Sequence, residues 1–265
     1  MLSFRDLVQA FRSLGLSPRQ PVLVHASLSS FGEEIRGGAD TLLGALLAVS
    51  GRVMTPAFTY RTMIIPEAGP ENNGLTYGSG KDLNQMAEFF FPDMPADPLM
   101  GILAETVRRH PQAKRSMHPI LSFAGIGLEE VLAAQTLAEP LAPIGGLAKM
   151  DGEVVLIGVN HTVNTSIHYA EALAGRQGFI RWALTPRGVW ECPGFPGCSD
   201  GFDAAAPLLE DLTRRASIAR AEVQVIPLAP MLERLREVIL QDPLALLCQR
   251  ETCERCDAYR RLAVE

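Results

Sequence analysis

His168 and Glu171 stand three residues apart in the stretch NTSIHYAEALA, residues 164–174. On a helix that spacing puts both side chains on one face. A carboxylate beside an imidazole fixes its tautomer and raises its basicity, which makes a general base. The same pair on a solvated helix is an ordinary surface contact. What favours chemistry is the segment before it. Val154, Val155, Leu156 and Ile157 form an apolar, β-branched run that reads as a buried strand. Gly158 ends the run, and a polar loop over 160–164 follows, with His161 in it. Residues 166–174 then read as a helix, capped by Asn164 or Thr165. Open α/β sheets place their ligands here, outside the carboxyl end of a strand.

A second strand-to-loop transition lies near the start. Val22 to His25 reads as a buried strand, and Ser27, Leu28, Ser29 and Ser30 follow it. Small hydroxyl residues in such a turn leave backbone N–H groups accessible and suit an anion such as phosphate. A plain polar turn has the same composition. His118 precedes Pro119, so its backbone is expected to be extended, with Arg115 and Ser116 beside it. All five cysteines fall between Cys192 and Cys256, and Cys253 and Cys256 form a CxxC. A structural zinc, free buried thiols and a redox-sensitive group all fit that pattern, and the irregular spacing commits to none of them.

The elements that must position these residues follow from periodicity. Phe4, Leu7, Val8, Phe11 and Leu14 mark an amphipathic helix over 3–14, capped by Ser3. A second helix opens near Asp40 and buries Leu42, Leu43, Leu46 and Leu47, and a strand over 53–60 follows. Alternating helix and strand predicts parallel strands joined by crossovers. Residues 62–98 break the pattern with five prolines, and at most one short helix is expected near 82–91. Such an excursion is a candidate substrate lid, and its Glu67, Glu71, Asp82, Glu88, Asp93 and Asp97 would favour a cationic substrate; a solvated loop reads the same way. Helices are expected over 99–109 and 128–137, a short strand after His118, and a turn-rich loop over 140–147. A hairpin over 181–190, a helix over 203–219, a strand over 221–227 and a helix over 231–242 complete the chain. One domain over 1–265 is expected, with 176–265 as a C-terminal elaboration carrying the cysteines.

The chain has 265 residues, 47% of them apolar, enough for one large α/β domain. A net charge of −6 argues against nucleic-acid binding and mildly favours a neutral or cationic partner. No apolar run is long enough to span a membrane, and Met1 to Asp6 carries no secretion signal, so a cytoplasmic location is expected.

Four blocks in order resemble the aminoglycoside 3-N-acetyltransferase family: HASLSSFG with GGADTLLGALL, VMTPAFTY, DPLMGILAETVRRHPQAKRSMHPILSFAGIG, and PIGGLAKMDGEVVLIGVNHTVNTSIHYAE. The resemblance spans roughly residues 5–175 and loosens beyond. It implies a three-layer α/β/α domain with a central, partly mixed sheet. It implies acetyl-CoA as donor and a small-molecule primary amine as acceptor, as in an aminoglycoside. His168 corresponds to the family's catalytic histidine, with Glu171 as its orienting acid. His25, Ser27, Leu28, Ser29 and Ser30, with Ser116, His118 and Pro119, correspond to donor-contacting segments. Phe58, Thr59, Tyr60 and Asn164 correspond to the acceptor side. The loop after Arg61 and the cysteine-bearing tail depart from the resistance enzymes. No cysteine is placed as a nucleophile, so direct transfer in a ternary complex is expected. Two other readings remain: a metal-dependent hydrolase using His161, His168 and Glu171, with His118 as a further ligand, and a non-catalytic CoA-binding module.

Overall fold

The computed structural model describes residues 1–263. Helix α1 (Phe4–Ser13) starts at a capping box, in which Ser3 and Asp6 each satisfy the other's backbone N–H. It leads into β1 (Val22–Ala26), α2 (Gly38–Ser50) and β2 (Val53–Pro56). The excursion holds a two-residue strand, β3 (Met63–Ile64), and one short helix, α3 (Lys81–Met86). Then come α4 (Gly101–Arg109), β4 (Ala113–Arg115), β5 (Phe123–Ile126), α5 (Glu129–Ala133) and α6 (Ala142–Ala148). Strand β6 (Glu153–Ile157) and helix α7 (Ser166–Leu173) form the expected strand–loop–helix unit. The chain continues through β7 (Phe179–Thr185), β8 (Gly188–Phe195), β9 (Arg214–Ile218), β10 (Ala221–Pro227), α8 (Leu228–Gln241) and α9 (Glu254–Leu262).

Among the described residues a seven-stranded sheet runs in the order β4-β5-β2-β1-β6-β10-β9. Its centre, β2-β1-β6, is parallel; the flanking pairs are antiparallel, so the sheet is mixed. Alternate strand residues feed opposite faces. Val22, Val24, Val155 and Ile157 pack with α1, α2 and α4, whereas Leu23, Val154 and Leu156 pack with α5 to α8. A second sheet, β3-β7-β8, shares that latter core through Phe179, Ala183 and Phe195. The helix after β1 goes to one face and the helix after β6 to the other. The adjacent ends of β1 and β6 therefore flank a topological switch point.

Three expectations fail for identifiable reasons. Residues 203–219 are not a helix: short 3-10 turns lead to β9, a charged edge strand whose Arg214 pairs with Glu153. Residues 140–147 are not a loop: α6 tolerates Pro143 because the first turn needs no N–H there. A Cβ at Gly145 would overlap the Tyr169 hydroxyl, and one at Gly146 would press on Val131. The glycines thus let α6 lie against α7 and α5. The strand after His118 begins only at Phe123, because residues 116–122 form a hydrogen-bonded turn.

Candidate active site

Helix α7 places His168 and Glu171 one turn apart, and His168 Nδ1 lies 2.6 Å from Glu171 Oε2. Both side chains are at least 90% buried, at 10% and 5% exposure. The second carboxylate oxygen accepts from Arg176, whose guanidinium is equally buried. That guanidinium also donates to the carbonyls of Pro243 (2.7 Å) and Ala245 (3.0 Å) and lies 5.3 Å from the centre of the Tyr259 ring. Phe202 meets the imidazole edge-on, with ring centres 4.6 Å apart. The imidazole is thus gripped at Nδ1 by an anion that is itself held in place, and Nε2 is the nitrogen left for a reacting group. His168, Glu171 and Arg176 line a cleft of about 510 Å³ whose other walls include Pro140, Gly145 and Tyr259.

The loop between β6 and α7 is shaped by Asn160 and Asn164. Asn160 Oδ1 accepts from Thr162 N, and Asn160 Nδ2 donates to Asp203 at 2.5 Å. Asn164 is fully buried; its Oδ1 accepts from Ser166 N (3.2 Å) and its amide faces His161 Nδ1 (3.3 Å). Asn164, not Thr165, therefore serves the helix start. Across the switch point, Ser27 and Ser29 hydroxyls lie 3.1 Å apart and Ser30 Oγ donates to Ser27 O at 2.6 Å. Gly158 holds φ 61°, and a Cβ there would overlap Ser30 Oγ, so only glycine lets the β1 and β6 turns meet. Leu28 and Ser29 sit in the 3-10 turn above them, with Ser29 exposed.

Other residues singled out in the sequence are held by hydrogen bonds within the 57–62 and 115–123 segments. His118 Nδ1 accepts from Ile120 N (3.1 Å) and Leu121 N (2.9 Å), so the proton of the neutral ring sits on Nε2. Ser116 Oγ accepts from Phe123 N at 2.8 Å. The Pro119 carbonyl accepts from the hydroxyls of Thr59 (2.7 Å) and Thr62 (2.8 Å). Phe58 packs edge-on against Phe123 and Tyr60, and burial pushes the Tyr60 phenol up to about 12. Arg115 ties this region together through Ala57 O (2.6 Å) and Ser122 Oγ (2.9 Å). The excursion is anchored: Arg181 donates to the carbonyls of Asn73 (3.0 Å) and Gly74 (3.1 Å), and Asn72 donates to Ala258 O (3.1 Å). Of its acids, Asp97 caps a 3-10 turn and Glu88 pairs with Arg61. His161, His168, Glu171 and His118 do not form a ligand cluster; among the described residues the one group of three or more candidate ligands is made of cysteines. The hydrolase reading loses its metal-binding set on that geometry.

Sequence reasoning missed Arg176, Phe202 and Tyr259. Arg176 had a legible signal. The Gly175 N–H bonds to Ala172 O and the Arg176 N–H to Glu171 O, with Gly175 at φ 85°. This is a Schellman end, which folds the residue after the glycine back over the last turn.

Two buried imidazoles make the fold acid-sensitive. Burial lowers His25 and His118 to about 4, against about 6.5 in the unfolded chain. The unfolded chain binds more protons across that window, so stability is complete above about pH 6.5 and falls as pH drops toward 4. Each group accounts for on the order of 3 kcal/mol. His118→Asn keeps an acceptor where Nδ1 stands and removes the protonation site. Its melting temperature should fall less than that of wild type between pH 6.5 and 4; equal slopes in thermal melts would exclude His118 from this role.

The family model for aminoglycoside 3-N-acetyltransferase matches residues 23–239. An aminoglycoside N(3)-acetyltransferase III from Enterobacter cloacae is 27% identical over 237 residues, covering 76% of this chain and 78% of that one. The aminoglycoside acetyltransferase AAC(3)-IVa superposes with a TM-score of 0.79 at 26% identity, covering 98% of this chain and 97% of that one; a mutant of it has been solved with gentamicin. The CoASH complex of AAC-IIIb shares the fold, with a TM-score of 0.71 at 21% identity over 90% of this chain and 96% of that one.

Proposed function

The chain belongs to the aminoglycoside 3-N-acetyltransferase family and is thus an acetyl-CoA-dependent N-acetyltransferase, and from that premise we propose that His168 is its general base and an aminoglycoside 3-amino group its acceptor. The observation that carries this reading is the array Arg176–Glu171–His168, with the imidazole on the wall of a cleft. An ammonium gives up one proton to water before its nitrogen can attack a thioester, and a positioned imidazole takes a second proton from that nitrogen as the bond forms. The amine nitrogen joins the thioester carbonyl carbon, His168 Nε2 receives the amine proton, and the C–S bond breaks. The leaving CoA thiolate then takes the proton from the imidazolium. No group changes oxidation state, and no acyl-enzyme is required. Glu171 holds the tautomer that leaves Nε2 basic and stabilises the imidazolium once formed. The hydroxyl-rich turn of Ser27, Ser29 and Ser30, at the switch point, supplies donors for the phosphates or the oxyanion. The related enzymes that hold gentamicin and CoASH support the choice of acceptor and donor.

The test is thiol release from acetyl-CoA across a panel of amines. Aminoglycosides bearing a 3-amino group should release CoA and carry the acetyl on that nitrogen, while simple alkylamines should react far more slowly. Binding of CoA with no release for any aminoglycoside would overturn the acceptor and leave the binding-module reading.

A further inference from the structure

Four of the five cysteines converge. The sulfurs of Cys198, Cys248, Cys253 and Cys256 all lie within 4.8 Å of one another, and all four residues are buried. They come from three places: the loop after β8, the loop after α8, and the start of α9, where Cys253 is the cap and Cys256 is in the first turn. We propose that these four cysteines bind one structural zinc ion, which fastens α9 to the body of the protein beside the transfer cleft. The inference does not rest on the identity of the acceptor or on the role of His168.

The mutual closeness of all four sulfurs carries the proposal. Two disulfides would need only two close pairs, whereas a tetrahedral ion needs every pair close. With Zn–S bonds of about 2.3 Å, the sulfurs of a tetrathiolate stand roughly 3.8 Å apart. The observed group contracts to that size with small side-chain movements. Four thiolates around a divalent cation leave excess negative charge, and the surroundings answer it. The Asp200 N–H (3.4 Å) and the Arg250 guanidinium (3.7 Å) donate to Cys198 Sγ. Arg260 donates to Cys248 O and Arg255 to Gly197 O at 2.9 Å, so two more guanidiniums flank the loops that carry the sulfurs. The positive end of the α9 dipole lies at the CxxC.

The backbone is also built for closure. A Cβ at Gly201 would press on Leu246 O and Leu247, and one at Gly197 would press on the Tyr259 ring. Leu246 holds φ 63°, a conformation that costs a branched side chain energy and persists only where its surroundings enforce it. These contacts bring the Cys198 loop against the Cys248 loop. Helix α9 then carries Ala258 to the neighbouring groove and Tyr259 to the cleft. Tyr259 packs on Phe179 and under Arg176. Arg176 itself is held by the carbonyls of Pro243 and Ala245, just ahead of Cys248. The ion would do no chemistry; it would fix the segment that supports the Arg176–Glu171 pair. Cys192 stands apart, packed in the smaller sheet with its thiol pushed up to about 12 by burial.

The experiment is elemental analysis of the full chain purified with a thiol reductant and without chelator. One zinc per chain is expected. A Co²⁺-exchanged sample should show the visible bands of a tetrahedral thiolate site, and a mercurial should release the metal as four thiols react. Cys192→Ser should keep full zinc content, and Cys256→Ser should lose it. Because Cys256→Ser can fail to fold, the decisive measurement is on wild type: chelation after mild acidification, which returns four protons to the thiolates, should lower the melting temperature by more than about 5 °C, and added zinc should restore it. Chain lacking metal that does not take up zinc at one per chain, four sulfurs found as two disulfides, or iron in place of zinc would each overturn the proposal.

Discussion

His168→Ala is expected to lower kcat by about 10²- to 10⁴-fold, the range for loss of a positioned general base, while CoA affinity stays within about twofold of wild type. The asymmetry follows from geometry. His168 reaches the cleft from α7, whereas the residues matched to donor contact lie at the β1 turn and on the 116–119 segment. On the proposed roles, removing the ring removes proton acceptance and leaves the donor contacts in place. A cavity is left beside Phe202, whose ring meets the imidazole at 4.6 Å. His168→Gln, which fills more of that space without a usable base, is the control for packing. Steady-state kinetics at saturating acetyl-CoA and calorimetric titration of CoA check the two halves separately. If either variant keeps more than about a tenth of wild-type kcat, His168 is not the base; if both lose CoA binding as well, the residue serves the donor site.

The parts of this site that were legible in the chain are those written in local pattern. A β-branched run, a polar loop and an HxxE on helical spacing sit within 20 residues, and the structure joins them as β6, loop and α7. The Ser3 cap and the CxxC at the start of α9 were likewise local. What escaped depends on surfaces remote in sequence. Residues 203–219 carry leucines at helical spacing, but pairing with β10 decides for a strand at 214–218. Residues 140–147 look like a loop until Tyr169 and Val131 occupy the space that their glycines leave. The hydrogen bonds by which Ser116 Oγ and His118 Nδ1 close the turn over 116–123 also join groups several residues apart and were not legible in the pattern. The cysteines show the same limit. Their spacing matches no regular knuckle, because Cys198 and Cys248 are brought to the CxxC by the packing of two loops.

Arg176→Ala is expected to be the most damaging single change to stability near the site. The guanidinium is about 95% buried and makes an ion pair, two hydrogen bonds to carbonyls and a stacking contact. Truncation strands the Glu171 carboxylate in a region with 5% exposure and leaves the Pro243 and Ala245 carbonyls without this donor. Breaking a buried pair from one side costs about 3–5 kcal/mol, which for a chain of this size lowers the melting temperature by roughly 10 °C. Turnover should fall as well, by at least about tenfold, because a carboxylate held at one oxygen only no longer fixes the imidazole. Two further variants separate charge from packing. Arg176→Lys keeps the cation but not the fork that spans a carboxylate and two carbonyls, so it should recover part of the stability. Adding Glu171→Gln to Arg176→Ala removes the stranded anion; the double variant should be more stable than Arg176→Ala alone yet no more active. That sign of coupling, stability regained without turnover, distinguishes an ion pair that positions the base from one that merely holds the helix end. Melting of Arg176→Ala within about 2 °C of wild type would show that the carboxylate finds another partner and would sink the positioning role.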